Sequence, residues 1–179
     1  MIALTTAFST AALALIGNIV FGLWNRFSER RSIAAALAGE IGAYVTLLDP
    51  ETSSANYRKL AAFEYALRKQ RLRSLPKTPV GHPVFDKVAD KIGLLPTTES
   101  LDVSSIYNVV SGFRIIISNL SSDQIADAED VVQSAMIIRV AETIEKYSPS
   151  ARDLVDRLKR ISNENFWQFL KREFLGNQR

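Results

Sequence analysis

MIALTTAFSTAALALIGNIVFGLWN, residues 1–25, contains no charged side chain and no proline, and the first charge in the chain is Arg26. As a helix, residues 2–24 would extend about 34 Å, which matches a hydrocarbon layer roughly 30 Å thick. Trp24 ends the apolar run, where an amphipathic ring suits the headgroup region of a bilayer. The sequence therefore predicts a transmembrane anchor at residues 1–25, followed by a separate domain at residues 26–179.

Three arginines lie directly after the apolar run: Arg26, Arg30 and Arg31. Since positively charged flanks remain on the cytoplasmic side of a membrane, we expect a single-pass protein whose C-terminal domain is cytoplasmic. A cleaved signal peptide is one alternative, but it would open with a basic region, and the twenty-four residues after Met1 contain no Lys or Arg. A buried helix of a soluble protein is the other alternative, because hydroxyl groups and Asn18 make the stretch partly polar.

Small or weakly polar residues recur at every fourth position of the apolar run: Thr10, Ala14, Asn18 and Gly22. This spacing places them along one side of a helix, where small side chains allow two helices to approach closely. An Asn amide can also form a hydrogen bond across such an interface, worth about 0.5 to 2 kcal/mol. We therefore predict a homo-oligomer formed through the anchor. The alternative is that Asn18 bonds within its own helix or to interfacial water.

The remainder of the chain has helical periodicity. Apolar residues step by three or four from Ile33 to Leu48 with no break from the anchor, so one long helix is predicted, ending at Asp49-Pro50. Further helices are expected at about residues 51–74, 84–92, 97–119 and 123–147, and a last segment at 150–175 follows a break at Ser148-Pro149. The predicted fold class is all-α: an N-terminal transmembrane helix that continues into an antiparallel helical bundle.

Composition and motifs exclude several classes of function. The 179 residues include no Cys and one His, which removes disulfide frameworks, thiolate metal sites and cysteine nucleophiles. The carboxylate pairs Asp86/Asp90 and Asp123/Asp127 would each share a helix face, but no Glu has a His three positions on, as in metal-carboxylate bundles. His82 is expected to help a turn or to face solvent. We therefore predict no catalytic residue, no cofactor and no metal, and hence no enzyme.

A basic cluster lies between residues 57 and 77, and its centre consists of Arg68, Lys69, Arg71 and Arg73. Together with the three arginines after the anchor, these side chains are candidates for contact with anionic membrane lipid or with a protein partner. The alternative is a solvated helix face that complements the acidic residues between 123 and 145. Nucleic acid is not expected as a partner, because no recognised DNA- or RNA-binding module accompanies the charges.

The C-terminal stretch is rich in aromatic side chains: Phe166, Trp167, Phe169 and Phe174. Phe166 and Phe174 fall on one side of a helix, and basic residues lie among the aromatic ones, which is typical of a helix on a membrane surface or in the groove of a partner. The alternative is a terminal helix that closes the core of the bundle.

Two further stretches are SERRSIAAALAGEIGAYV, residues 28–45, and HPVFDKVADKIGLLP, residues 82–96, the second followed by a helix around Tyr107. Together they resemble a loose group of small, uncharacterised bacterial single-pass membrane proteins with a cytoplasmic helical domain. The resemblance implies a location in the bacterial inner membrane and supplies no reaction. The expected function is a membrane-tethered, non-enzymatic interaction module that binds protein or lipid partners. The alternatives are a membrane-acting effector whose oligomerised anchors perturb the bilayer, and an enzyme with an unrecognised carboxylate site.

Overall fold

A computed structural model describes residues 2–74, 81–120, 122, 125 and 127–175 of the chain, with side chains from residue 13 onward. The helices in these ranges are α1 (Ile2–Leu47), α2 (Ala55–Ala61), α3 (Tyr65–Arg73), α4 (Phe85–Val88), α5 (Thr97–Leu120), α6 (Asp130–Ser162) and α7 (Phe166–Leu175). A π-helical turn, Pro50–Ser54, precedes α2, and a 3-10 helix, Ala89–Leu94, follows α4. The described residues contain no strand, and the prediction of an all-α helical bundle is confirmed.

The N-terminal helix α1 is unbroken over 46 residues, which corresponds to a length of about 69 Å. Its first described side chains are apolar and exposed, with Leu13 at 70% and Phe21 at 65%. Burial begins at Phe27, which is 3% exposed, and recurs every three or four positions as far as Ile41. The first part of α1 is therefore long and apolar enough to span a membrane, and the same helix continues into the bundle, as predicted.

Three helices, α1, α5 and α6, build the main hydrophobic core. Its buried side chains include Leu37 and Ile41 of α1, Val103 and Ile106 of α5, and Leu154 and Leu158 of α6. A second cluster lies towards the start of α6, where Leu60 of α2 and Leu72 of α3 share a core with Phe113, Ile117 and Ile137. Burying one large apolar side chain stabilises a fold by about 1.5 to 3 kcal/mol, so these clusters hold the helices together.

The contacts between α1 and α6 show how these two helices are oriented: residues later in α1 contact residues earlier in α6. Arg31 Nε donates a hydrogen bond to Ser162 O at 2.6 Å, whereas Asp49, after the end of α1, pairs with Arg152. The two helices therefore point in opposite directions, and the end of α6 lies beside the part of α1 that follows the exposed apolar stretch.

The helices α1 and α5 run in the same direction. Arg30 of α1 and Thr97, where α5 begins, line the same cavity, and Tyr107 donates a hydrogen bond to Glu40 further along both helices. The bundle is thus not antiparallel throughout. The reason is that the chain passes through α2, α3 and α4 and so returns to the end at which the buried part of α1 starts.

The proline of Ser148-Pro149 lies inside α6, so the prediction of a break at this point is wrong. A proline removes one backbone hydrogen bond and costs about 3 kcal/mol in a helix interior. Buried residues flank it on both sides, with Ile144 before it and Ala151 and Leu154 after it. Because these side chains belong to one continuous buried stripe, their packing outweighs the local penalty.

The single helix predicted for residues 51–74 is also wrong, because a break at residues 62–64 divides it into α2 and α3. The guanidinium group of Arg68 folds back and donates a hydrogen bond to Ala61 O, a carbonyl at the end of α2. The break lets both short helices place a leucine in the second cluster. The helix predicted to start at Asp123 is seen from Asp130 onward, and Asp123 itself lies outside the described residues.

Candidate membrane-facing site

The C-terminal helix α7 packs against α1 at the point where the exposed apolar stretch ends. The ring centroid of Phe166 lies 5.2 Å from that of Trp24 and 5.4 Å from that of Phe27, and Phe169 lies 5.5 Å from Phe27. Aromatic pairs at such distances contribute about 0.5 to 1.5 kcal/mol each beyond the burial of their surface. These contacts fix α7 beside Trp24, the residue predicted to lie at headgroup level.

The helix α7 has one buried and one exposed side. Phe169 is 3% exposed, whereas Trp167 is 77% and Phe174 is 67% exposed, and Phe166 is half-buried. The prediction of a surface contact is therefore wrong for Phe169, because its ring packs on Phe27 and closes the core there. Trp167 and Phe174 form the exposed apolar side that a membrane or partner contact requires.

The three arginines after the anchor differ in their surroundings. Arg26 and Arg31 are exposed, and the guanidinium group of Arg31 lies 5.3 Å from the centre of the Phe27 ring. Arg30 is buried, and its Nη1 donates a hydrogen bond to Glu173 of α7 at 3.0 Å. The sequence suggests that Arg30 is an exposed surface charge. In the structure its side chain is buried and joins α1 to α7.

The residues predicted to mediate self-association lie in α1. The side chain of Thr10 lies outside the described residues, whereas Ala14, Asn18 and Gly22 are exposed. A Cβ built at Gly22 would have no neighbouring atom within 4 Å. This side of the helix is open to a second helix, and oligomerisation through it stays a prediction.

The basic cluster on α3 is paired with acidic side chains of the same chain. Arg68 is 3% exposed and pairs with Asp130, while Lys69 Nζ and Arg73 Nη2 lie 2.5 Å and 3.0 Å from Asp127 Oδ1. The hydrogen bond from Lys69 is the main reason why the pKa of Asp127 is lowered. The arrangement agrees with the alternative of a basic face that complements acidic residues. The prediction of a lipid or partner contact is wrong for Arg68, because it is buried.

This cluster lies at the end of α6 that is remote from the exposed apolar stretch of α1. Asp130 begins α6 and Ser162, which contacts Arg31, ends it, so about 48 Å of helix separates the two ends. A bilayer at the level of Trp24 would lie beyond the Ser162 end. If a bilayer lay at the level of Trp24, exposed charges of α3 such as Arg71 would therefore be too far away to contact it.

An ion pair joins α2 to α6 between the two ends of the bundle. Arg58 donates two hydrogen bonds to Glu145, from Nε to Oε1 at 3.0 Å and from Nη2 to Oε2 at 2.8 Å. Ser54 Oγ donates a further hydrogen bond to the same carboxylate. The bonds from Arg58 and Ser54 lower the pKa of Glu145 from 4.5 to about 2.

Replacing Glu145 with Gln is expected to weaken the dependence of stability on acidic pH. Because the folded-state pKa is lowered, the ionised carboxylate stabilises the fold fully above pH 4.5, and this contribution is lost as the pH falls towards 2. The melting temperature of Glu145→Gln should therefore fall less steeply over this interval than that of the wild type. Glu142→Gln, an exposed change on the same helix, is the matched control. Identical pH profiles for the two variants would contradict the assignment.

A buried polar cluster around His82 was not predicted from the sequence. The ring is 8% exposed, its Nδ1 lies 3.2 Å from the hydroxyl of Tyr44, and its Nε2 lies 2.9 Å from Ser111 Oγ. The expectation of a solvent-facing His is therefore wrong, and burial lowers the pKa of His82. Both ring nitrogens have partners within the chain, so His82 holds the segment before α4 onto α1 and α5. The hydroxyl group of Tyr44, which falls within an apolar stripe of the sequence, could have indicated this polar cluster, because a buried phenol needs a hydrogen-bond partner.

Among the described residues, no group of three or more acidic or His side chains is placed to hold an ion around Asp86 and Asp90, and Asp123 of the second pair lies outside those residues. Asp86 Oδ2 instead accepts a hydrogen bond from the backbone N–H of His82 at 3.3 Å. Asp86, at the start of α4, therefore serves as a hydrogen-bond acceptor for the backbone of the preceding segment.

Comparison with known proteins found no matching family model, no matching curated protein and no matching solved structure. The resemblance carried by residues 28–45 and 82–96 therefore stays a prediction.

Proposed function

We propose that this chain is a single-pass membrane protein whose helical bundle stands on the cytoplasmic surface of the bilayer and presents its far end to a protein partner. The packing of α7 on α1 beside Trp24 carries this proposal. Because of that packing, the start of α7 lies beside the end of the exposed apolar stretch. The protein would then touch the bilayer at two places, through the anchor and through α7.

The exposed side of α7 has the chemistry of a helix at a membrane surface. Trp167, Lys171 and Phe174 are all exposed and lie four and then three positions apart, so they share one side of the helix. An indole ring suits the headgroup region, and Phe174 offers apolar area to the acyl boundary. The charge of Lys171 would gain about 1 kcal/mol beside anionic lipid. These properties support a helix that rests on the bilayer.

The remote end of the bundle is the candidate surface for a protein partner. The helix α3 contains four basic and no acidic side chains, and Arg71 among them is exposed. The exposed part of α3 therefore carries an excess of positive charge. Since the bilayer is about 48 Å away along α6, we assign this charge to an acidic protein surface rather than to lipid.

The position of Trp167 provides the test of this proposal. The chain contains two Trp residues, so Trp24→Phe leaves Trp167 as the single indole, and Trp167→Phe leaves Trp24. Both full-length variants are reconstituted into vesicles that contain lipids brominated on the acyl chain near the headgroup. We expect the emission of Trp167 to be blue-shifted and quenched by the brominated lipid to an extent similar to that of Trp24, because both rings would lie at the interface.

The Trp167→Phe variant, which retains Trp24, serves as the internal depth reference for this measurement. If Trp167 is instead quenched by a water-soluble quencher and is insensitive to the brominated lipid, α7 does not rest on the bilayer and the proposal fails. A red-shifted emission of Trp167 with efficient quenching of Trp24 would lead to the same conclusion.

A further inference from the structure

A cavity of about 380 Å³ lies between α1, α7 and the start of α5. Its polar lining includes Arg26, Arg30, Arg172 and Glu173, and Leu23 contributes apolar lining from the anchor side of α1. Arginines outnumber carboxylates among these lining residues. The lining therefore carries a net positive charge next to the end of the exposed apolar stretch, even when Glu164, the partner of Arg172, is counted.

The charge of Arg30 is incompletely satisfied within the protein. Arg30 is 4% exposed, and its Nη1 bonds to Glu173 at 3.0 Å, but its Nε and Nη2 have no hydrogen-bond partner among the described residues. Burial lowers the pKa of Arg30, and the nearby charge of Arg172 lowers it further. Arg30 also lines the cavity, and a buried guanidinium with one direct carboxylate partner is incompletely neutralised, so an anion bound in the cavity would stabilise its charge.

Two neighbouring elements add to the attraction for an anion. Arg172 Nη2 pairs with Glu164, while its Nε has no hydrogen-bond partner in the described part of the chain. The helix α5 has 24 residues and begins at Thr97 on the cavity wall. The N–H groups of its first turn and the positive end of its dipole therefore lie at the cavity.

We propose that this cavity binds a phosphate group through Arg26, Arg30 and Arg172. The planar guanidinium fork matches two oxygen atoms of a phosphate, and the basic side chains that line the cavity are all arginines. Two sources share this chemistry, the headgroup of an anionic phospholipid and a soluble phosphate compound. The lipid source rests on the proposed function, because only a bundle seated on the bilayer brings the cavity to headgroup level. Binding of phosphate itself does not depend on that orientation.

Thermal unfolding of the full-length chain in uncharged detergent micelles tests the site, with sodium phosphate compared with sodium chloride at equal ionic strength. We expect phosphate to raise the melting temperature in a saturable manner. Arg26→Gln should weaken the apparent affinity for phosphate about tenfold, and Arg30→Met about a hundredfold, because charge-assisted hydrogen bonds are lost. Arg31→Gln makes the same change of charge outside the cavity lining, at a side chain that bonds to Ser162 O, and should change the affinity less than about twofold.

The proposal is overturned if phosphate raises the melting temperature no more than chloride does. It is also overturned if Arg26→Gln and Arg31→Gln weaken the stabilisation by phosphate equally. Phosphate would then associate diffusely, as an adventitious ion only. Should Arg30→Met fail to fold, the comparison of the two exposed arginines decides the question alone.

Vesicles distinguish the two sources of phosphate. The full-length chain is placed in vesicles of phosphatidylcholine alone or with one quarter phosphatidylglycerol. If a lipid phosphate fills the cavity, phosphatidylglycerol stabilises the wild type more than Arg26→Gln, and added inorganic phosphate has no further effect. If the ligand is soluble, phosphatidylglycerol makes no such difference and inorganic phosphate still stabilises. Phosphate binding in micelles with no contact of Trp167 to lipid would remove the proposed seating of α7 and leave the phosphate site intact.

Discussion

Replacing Leu37 with Ala is expected to lower the free energy of unfolding by about 3 to 4 kcal/mol. Leu37 has no exposed surface and lies in α1 within the main core, among side chains of α5 and α6. Truncation to Ala removes buried methyl groups and leaves a cavity that close-packed neighbours fill only in part. Leu47→Ala, in the last turn of the same helix, is the matched control, because Leu47 is 72% exposed. That variant should stay within about 0.5 kcal/mol of the wild type.

Urea-induced loss of far-ultraviolet circular dichroism, recorded for the full-length chain in uncharged detergent, gives both values. The two variants make the same chemical change in one helix and differ only in burial. Equal losses for the two would show that the stripe from Phe27 to Ile41 is not the face that α1 contributes to the core.

Replacing Arg68 with Ala is expected to lower the free energy of unfolding by about 3 kcal/mol. The guanidinium group bonds to Ala61 O and to Gln133 Oε1, the latter at 3.3 Å, and it pairs with Asp130. Its removal would leave the Ala61 carbonyl, at the end of α2, with only the long 3.5 Å hydrogen bond from Ser134 Oγ among the described residues, and would take a partner from the fully buried Gln133. The junction of α2, α3 and α6 depends on these bonds.

Two further substitutions separate the possible causes of this loss. Arg71→Ala changes the same charge at an exposed position of the same helix and should alter stability by less than about 0.5 kcal/mol. Arg68→Met keeps most of the apolar stem, so the loss measured there reports mainly the missing hydrogen bonds. If Arg68→Met were as stable as the wild type, the polar contacts would contribute no net stability and the explanation offered for the α2/α3 junction would be wrong.

The parts of the fold that were predictable from the sequence depend on local periodicity. The stripe that includes Ile33, Leu37 and Ile41 specifies a helix face by spacing alone, and Asp49-Pro50 ends it by a steric rule. Pro149 obeys the same local rule in isolation, but the buried residues on both sides of it come from a packed core. The strength of that packing is set by other helices, so it cannot be derived from the neighbouring sequence.

The candidate site was predictable in composition but not in geometry. The aromatic residues near the C-terminus identify α7 as amphipathic, yet which ring is buried follows from its contact with Phe27, more than 130 residues earlier in the sequence. The burial of Arg30 likewise follows from its pairing with Glu173 of α7, 143 positions away. Contacts at such separations leave no periodic signal in a single sequence, and the basic face of α3 therefore could not be matched to Asp127 in advance.

The unbroken helix α1 couples the orientation of the bundle to the orientation of its apolar part. The exposed apolar part and the core of the bundle belong to one helix with no joint between them, so if the apolar part spans a bilayer as proposed, its tilting to fit a thinner bilayer would tilt the whole bundle with it. Over the 48 Å of α6, a tilt of about 10° would displace the remote end by about 8 Å. Bilayer thickness at one end would thus be converted into the position of the basic helix α3 at the other.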